Sequence, residues 1–200
     1  MKKLTALLAL LLAGVLTLAA CGNDSTSNSS GGTSTAQFND ADVEFAQGMI
    51  PHHQQAVQMS RMAESHADSP EVKKLASDIE AAQGPEIDTM TQWLQDWGKG
   101  VPSSSGSDMG GMDMGDGSHM DTNDMPGMMS ADDVHQLSQA HGSHWDRMFL
   151  TMMIRHHEGA LEMARTEQAD GQNPDAVALA KKIEDAQTAE IATMKDMLRS

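Results

Sequence analysis

An all-α fold, two copies of one helical hairpin packed as a four-helix bundle, is what this 200-residue sequence predicts. Three observations lead there. Residues 42–96 align without a gap on residues 146–200, with about 21 identities in 55 positions, including Phe45/Phe149, His52/His156, Leu75/Leu179, Glu86/Glu190 and Met90/Met194. Apolar residues in both copies recur at helical spacing, and few windows alternate with the period of a strand. The copies are separated by a stretch rich in Gly, Asp and Met that cannot build a core, so each hairpin must bury its apolar face against the other.

Each element follows from local chemistry. Asn39 with Asp40 and Asp42 opens the first helix, supplying a capping oxygen and acids in the first turn. Phe45, Met49, His52, Ala56, Met59 and Ala63 form its seam at steps of four and three, flanked by Ala46, Ile50, His53 and Val57. Pro51 removes one hydrogen bond beside the histidines and predicts a kink. Ser69-Pro70-Glu71 restarts the chain with proline at the first helical position. Val72, Leu75, Ile79, Gln83, Ile87, Met90 and Leu94 carry that second seam, and Gly98–Pro102 ends it. In the second copy, Ser130 with Asp132 and Asp133 caps a short helix expected to end at Gly142. Phe149, Met153, His156, Ala160 and Met163 repeat the first seam, and Asn173-Pro174-Asp175 opens the last helix.

The N-terminus reads as a targeting segment. Lys2 and Lys3 precede an apolar run from Leu4 to Leu18, and Leu18-Ala19-Ala20-Cys21 has the form of a lipobox. The expected organisation is a signal peptide over 1–20 and a tether over 21–37 from a lipidated Cys21. One domain then spans 38–200, with repeat 1 at 38–98, a linker at 99–130 and repeat 2 at 131–200. Acylation at Cys21 would hold the domain on a bacterial membrane, facing the periplasm or the exterior. Cys21 is the sole cysteine, so the domain is expected to hold no disulfide. Loss of the leader removes two lysines and no acids, which takes the formal charge from −16 to −18. That balance argues against nucleic acid, which needs Lys/Arg clusters, and favours cations or basic surfaces.

Three features carry chemistry. His52/His53 and His156/His157 occupy equivalent positions, with Met49 and Met153 one turn before and Met59 and Met163 about two turns after. Adjacent residues on a helix point about 100° apart, so only one histidine of each pair can face the bundle axis. Gln83-x-x-Glu86 and Gln187-x-x-Glu190 then place polar groups on apolar seams. They either orient the imidazoles, ligate a metal themselves, or reach water at the seam edge. The linker, lastly, concentrates Met109, Met112, Met114, Met120, Met125, Met128 and Met129 with His119, and His135, His141 and His144 follow. Thioethers with imidazole suit Cu(I) or Ag(I), and unlike thiols they form no disulfides in an oxidising compartment. Sacrificial oxidation of methionine is the competing reading. Met90, Met148, Met152 and Met194 are taken as core filler.

Enzymatic readings find little support. There is no Gly-rich phosphate loop, nucleophile elbow or His-Glu-x-x-His motif. A di-iron site wants Glu-x-x-His on two helices, and the nearest string is Asp132-x-x-His135.

Met-Ile-Pro-His-His-Gln-x-Ala-Val-x-Met at 49–59, Asp-Arg-Met-Phe-Leu-x-Met-Met-Ile-x-His-His-Glu-Gly-Ala at 146–160 and the Gln-x-x-Glu-Ile-x-x-Met endings resemble a bacterial family, domain of unknown function 305. The resemblance covers about residues 38–200. It implies an exported, ferritin-like helical bundle and, for some members, copper binding through Met and His. Carried over, it points to His52, His53, His156, His157 and their flanking methionines. Arg155 stands where the first copy has Pro51, and a cation there would weaken one of the two sites. The expected role is non-enzymatic sequestration of copper, Cu(I) ahead of Cu(II), or its transfer to a copper-handling envelope protein. The alternative is an interaction module whose His and Glu form a buried hydrogen-bond network.

Overall fold

The computed structural model describes residues 37–102 and 125–200. Over these the chain is all-helical, without a strand. The helices are α1 (Asp40–Arg61), α2 (Ala63–His66), α3 (Pro70–Asp96), α4 (Ala131–Gln139), α5 (Gly142–Asp170) and α6 (Pro174–Met197). The long helices pair as α1 with α3 and α5 with α6, and the two pairs meet through α1 and α5. The segments expected to be a signal peptide, lipobox and tether, up to residue 36, and the linker residues Met109, Met112, Met114, His119 and Met120 lie outside the described residues.

The expected helix starts are present. Asn39 caps α1 in a reciprocal box with Asp42, Ser69 and Asn173 cap α3 and α6 ahead of Pro70 and Pro174, and Ser130 forms a box with Asp133. Two boundaries differ from the sequence expectation. The first long helix breaks at Met62 and resumes as the single turn α2. The short helix stops at Gln139, and Gly142, with φ 64°, begins α5 instead of ending α4. As a result α5 reaches back over Trp145, which is fully buried and stacks on Phe149 with ring centroids 4.8 Å apart.

Burial falls into two clusters. One gathers Ala56 and Met59 of α1 with Phe149, Leu150 and Met153 of α5; the other gathers Phe45, Met49 and Ile50 of α1 with Ala160 and Ala164 of α5. Along α1 the chain runs from the second cluster into the first, and along α5 it runs the opposite way. The two helices therefore cross antiparallel, with His52/His53 and His156/His157 at the midpoint.

The repeat is also a spatial exchange. The Asp42 carboxylate accepts the backbone N–H groups of Gln172 (3.1 Å) and Asn173 (2.9 Å), and Asp146, its repeat equivalent, accepts those of Asp68 (3.1 Å) and Ser69 (3.0 Å). Each copy thus ties down the loop inside the other hairpin, satisfying donors at a helix start that would otherwise be orphaned. Arg61–Glu80 and Arg165–Glu184, both 2.7 Å, repeat in the same register on the exposed surface.

One buried acid has no counterpart in the first copy. Glu167 is 1% exposed, where the equivalent residue is Ala63. Burial, and the Asp42 carboxylate beside it, push its pKa up to about 8 from an ordinary 4.5. The folded state therefore binds a proton that the unfolded chain has released. The stability this contributes is complete below pH 4.5 and is lost as the pH rises toward 8. Glu167→Gln is expected to match the parent near pH 4, where both states of the acid are protonated, and to exceed it by at least about 2 kcal/mol at pH 8.5. Urea midpoints at the two pH values check this, and an equal gain at both would refute it.

Candidate metal centre

Helical geometry sends the two histidines of each pair to different partners. His52 of α1 and His156 of α5 meet face on, with ring centroids 3.7 Å apart and planes inclined by 36°. His53 and His157 turn instead toward the second helix of their own hairpin. His53 Nε2–H donates to Glu86 Oε2 at 3.0 Å, and His157 Nε2–H donates to Glu190 Oε2 at 2.6 Å. These contacts suit the first of the three roles open to the glutamates: a carboxylate accepting the Nε2 proton fixes the tautomer and leaves Nδ1 as the free nitrogen. Burial raises the Glu86 pKa, but the His53 N–H and the Lys182 ammonium at 3.1 Å outweigh it and hold the carboxyl below its ordinary range. Gln83 and Gln187, one turn earlier, are buried with Oε1 unpartnered among the described residues, as is Gln83 Nε2.

All four imidazoles are fully buried. Burial comes first among the causes that lower the His52 pKa to about 3, with His53 next; it also lowers that of His53 and drives that of His156 well down. These three rings are therefore neutral and keep a lone pair at neutral and mildly acid pH. His52 Nε2–H donates to the Pro126 carbonyl at 3.1 Å, so its Nδ1 bears the lone pair. Five ring nitrogens have no hydrogen-bond partner among the described residues: Nδ1 of His52, His53 and His157, and both nitrogens of His156. A buried, unpartnered N–H costs about 1–3 kcal/mol, so a structure that retains one at His156 calls for an explanation.

Thioethers supply the rest of the donor set. Met49, Met59 and Met153 are fully buried, each within about two turns of an imidazole pair, while Met163 is half-buried. Gly48, one turn before His52, faces two sulfurs. A Cβ placed there would lie 3.6 Å from Met163 Sδ and 3.8 Å from Met125 Sδ. Among the described residues no three or more His, Cys, Asp or Glu side chains are grouped to hold a metal. Thioethers beside imidazoles are soft donors and suit Cu(I) or Ag(I) better than a hard divalent ion.

Part of the linker behaves differently from the exposed, unstructured segment expected of it. Residues 125–129 form a strap across the histidines. Gln55 grips Met129 twice, donating from Nε2 to its carbonyl (2.9 Å) and accepting its N–H at Oε1 (2.8 Å). Gly127, at φ 76°, sits so close to α5 that a Cβ would lie 2.6 Å from the Arg155 carbonyl. Met129 is 3% exposed, so its thioether belongs to the core and not to a solvent-facing cluster. Met125 and Met128 are half-buried in the same strap. Arg155 does not bear on the histidines as a free cation. Its Nη2 donates to Met129 Sδ (3.1 Å) and to Asp133 Oδ2 (3.2 Å), which anchors the strap and neutralises the charge. His141 stacks on His66 with centroids 4.6 Å apart. The strap could not be read from sequence, because its only signals are glycines and one glutamine 74 residues away.

The family model described as Domain of unknown function (DUF305) matches residues 42–198, and the chain belongs to that family. A solved DUF305 protein from Streptomyces coelicolor is 30% identical, covering 80% of this chain and 92% of that one, with a TM-score of 0.68. CopM in its Cu(II)-bound form is 35% identical, covering 79% of this chain and 95% of that one, with a TM-score of 0.61. CopM has also been solved in Cu(I)-bound and Ag-bound forms. Uncharacterized protein L153 of Acanthamoeba polyphaga mimivirus is 38% identical over 55 residues, which is 28% of this chain. The match spans only about a third (36%) of that viral protein's length.

Proposed function

We propose that this member of the DUF305 family is a non-enzymatic copper-binding protein that sequesters Cu(I), or passes it to a copper-handling envelope protein. One observation carries the reading: four fully buried imidazoles at the α1/α5 crossing, five of whose nitrogens have no partner among the described residues. Similarity to CopM, a protein solved with Cu(I), Cu(II) and silver, supports the choice of metal. His52 and His156 would be the principal ligands, with His53 and His157 beside them and Met49, Met59, Met153 and Met163 supplying sulfur. Glu86 and Glu190 orient rings and do not ligate. Cu(II), if it enters, would use the imidazoles alone, since thioethers suit the softer ion.

The scaffold in this proposal is a ferritin-like four-helix bundle of two hairpins, supported by the α1/α3 and α5/α6 pairing and the contact of α1 with α5. A lipobox ending at Cys21 supports export and anchoring to a bacterial membrane. The linker methionines Met109, Met112, Met114 and Met120 with His119 would collect ions at lower affinity outside the centre.

The test is anaerobic competition with a Cu(I) chelator. Three variants accompany the parent: the four histidines to Ala, the seven linker methionines to Leu, and both together. The histidine variant is expected to lose at least about 100-fold in its tightest affinity, since even the outer partners of a metal ligand are worth 10–100-fold. Loss only in the linker variant would make the helices a scaffold. A parent that fails to compete would favour the interaction module, with its His–Glu pairs serving structure alone.

A further inference from the structure

The two hairpins share a clasp but not its surroundings. Asp42 accepts the N–H groups of Asn39 (2.6 Å), Gln172 (3.1 Å) and Asn173 (2.9 Å), so one carboxylate joins the start of α1 to the turn between α5 and α6. Asp146 holds the Asp68–Ser69 turn of the first hairpin in the same way. Beside Asp42 lies a second acid, Glu167, where the first copy has Ala63. Four residues on, Gly171 stands in place of Ala67. The two exchanges belong together. A Cβ at Gly171 would lie 2.6 Å from Glu167 Cδ, so the turn has given up a side chain where the carboxyl is seated.

Glu167 is 1% exposed, and neither of its oxygens receives an N–H or O–H among the described residues. No cation pairs with it there either. Arg165 is taken by Glu184, Lys99 stands over the Phe38 ring, and Asp40, Asp170 and Asp175 at this end of the helices are exposed acids. Asp42 already accepts three N–H groups, so of the two neighbouring acids Glu167 is the one that must keep a proton. That proton turns two repelling acceptors into a donor and an acceptor. The closed turn holds it until the pH reaches about 8, whereas a hydrated Glu167 in an open turn loses it at an ordinary 4.5. Between those values opening releases one proton, and the open population rises about tenfold per pH unit before levelling off.

We propose that Glu167 is a proton-operated lock on the α5–α6 turn. Protonated, it stays buried against Asp42 and the clasp is shut; ionised, it moves out to water and Gln172 and Asn173 come off Asp42. The first hairpin, with Ala63 at the equivalent position, keeps its turn throughout the same pH range. The lock goes beyond the metal reading and uses none of its ligands, since Glu167 follows His157 by ten residues, about 15 Å along α5.

Amide hydrogen exchange in the full chain tests this, with each rate divided by that of an unstructured amide at the same pH. From pH 5.5 to 7.5 the protection of Gln172 and Asn173 is expected to fall about 100-fold, one proton released over two pH units. Asp68 and Ser69, the matching amides of the first hairpin, should change by less than about threefold. Glu167→Gln keeps the shape of the side chain and removes its ionisation, so it should flatten the Gln172 and Asn173 profiles. The comparison of the two turns within the parent stands by itself should that variant fail to fold. A flat profile at Gln172 and Asn173 in the parent overturns the lock, as does an equal fall at Asp68 and Ser69 or a fall that persists in Glu167→Gln. Protection at Gln172 and Asn173 equal to that in the middle of α3 at every pH overturns it as well, because the acid would then govern global unfolding and not the turn.

Discussion

His156→Leu should melt at a higher temperature than the parent when no metal is present, and should lose the rise that metal produces. Both nitrogens of His156 are buried and unpartnered among the described residues, so the ring carries the desolvation cost of an N–H and returns no hydrogen bond. Leucine is close to histidine in volume and removes that cost. After allowance for imperfect repacking, a net gain of about 1 kcal/mol is expected, a shift of about 2–4 °C for a domain of this size. For the parent, Cu(I) at a hundred times its Kd would add about 2.7 kcal/mol, and the variant should show almost none of it. Differential scanning calorimetry with and without Cu(I), in the absence of oxygen, gives both numbers. A variant that melts lower without metal would mean that the ring has a structural partner. Retention of the metal-induced rise would remove His156 from the ligand set. A site residue whose replacement stabilises the apo fold is what functional selection leaves behind when stability alone would choose an apolar side chain.

Gly159→Ala is the second large effect, and it acts on the strap. A Cβ at Gly159 would stand 2.0 Å from the Pro126 carbonyl oxygen and 2.7 Å from Gly127 N, both backbone atoms that cannot rotate aside. The strap must lift. With it go the Pro126 carbonyl from His52 and both Gln55 bonds to Met129, a loss of about 2–3 kcal/mol at roughly 1 kcal/mol each. The helices should survive, because the α1/α3 and α5/α6 contacts do not involve the strap. Hydrogen exchange separates the two. The Met129 amide should lose about 30- to 100-fold in protection while amides in the middle of α3 and α6 keep theirs. Unaltered protection at Met129 would show that the strap is not seated by the Gly159 contact. Global loss would show that strap and helices fold as one unit. Opening the strap also releases His52 Nε2, so the variant should take up Cu(I) faster than the parent in stopped flow.

Much of this was legible in the chain because two copies of the same pattern constrain each other. A residue kept at both of two positions 104 apart is kept for a reason common to both hairpins. That reason is burial for Phe45/Phe149 and Leu75/Leu179, and the pairing of a ring with a carboxylate for His53/Glu86 and His157/Glu190. Helix starts were readable too, since Asn39, Ser69, Ser130 and Asn173 act within three residues of themselves. Harder to read were features lying outside the repeat register. Gly142 reads as a stop signal in a linear scan, yet it opens α5, because burial of Trp145 against Phe149 outweighs the cost of glycine in a first turn. The strap's Met129 reads as a solvent-exposed thioether, yet Gln55 and Arg155 hold it in the core from positions 74 and 26 residues away.

The sequence by itself determined the helices, their seams, the repeat and the soft character of the donors, because those follow from periodicity and side-chain chemistry. Only the tertiary structure decided which histidine of each pair faces which partner. Adjacent side chains on a helix diverge by about 100°, and the angle at which α1 crosses α5 selects the ring that meets its counterpart. Periodicity places both histidines near the seam, but the choice of His52 and His156 to face each other, with three of their four ring nitrogens unpartnered among the described residues, rests on the packing of two helices whose contact is specified nowhere along a single stretch of chain.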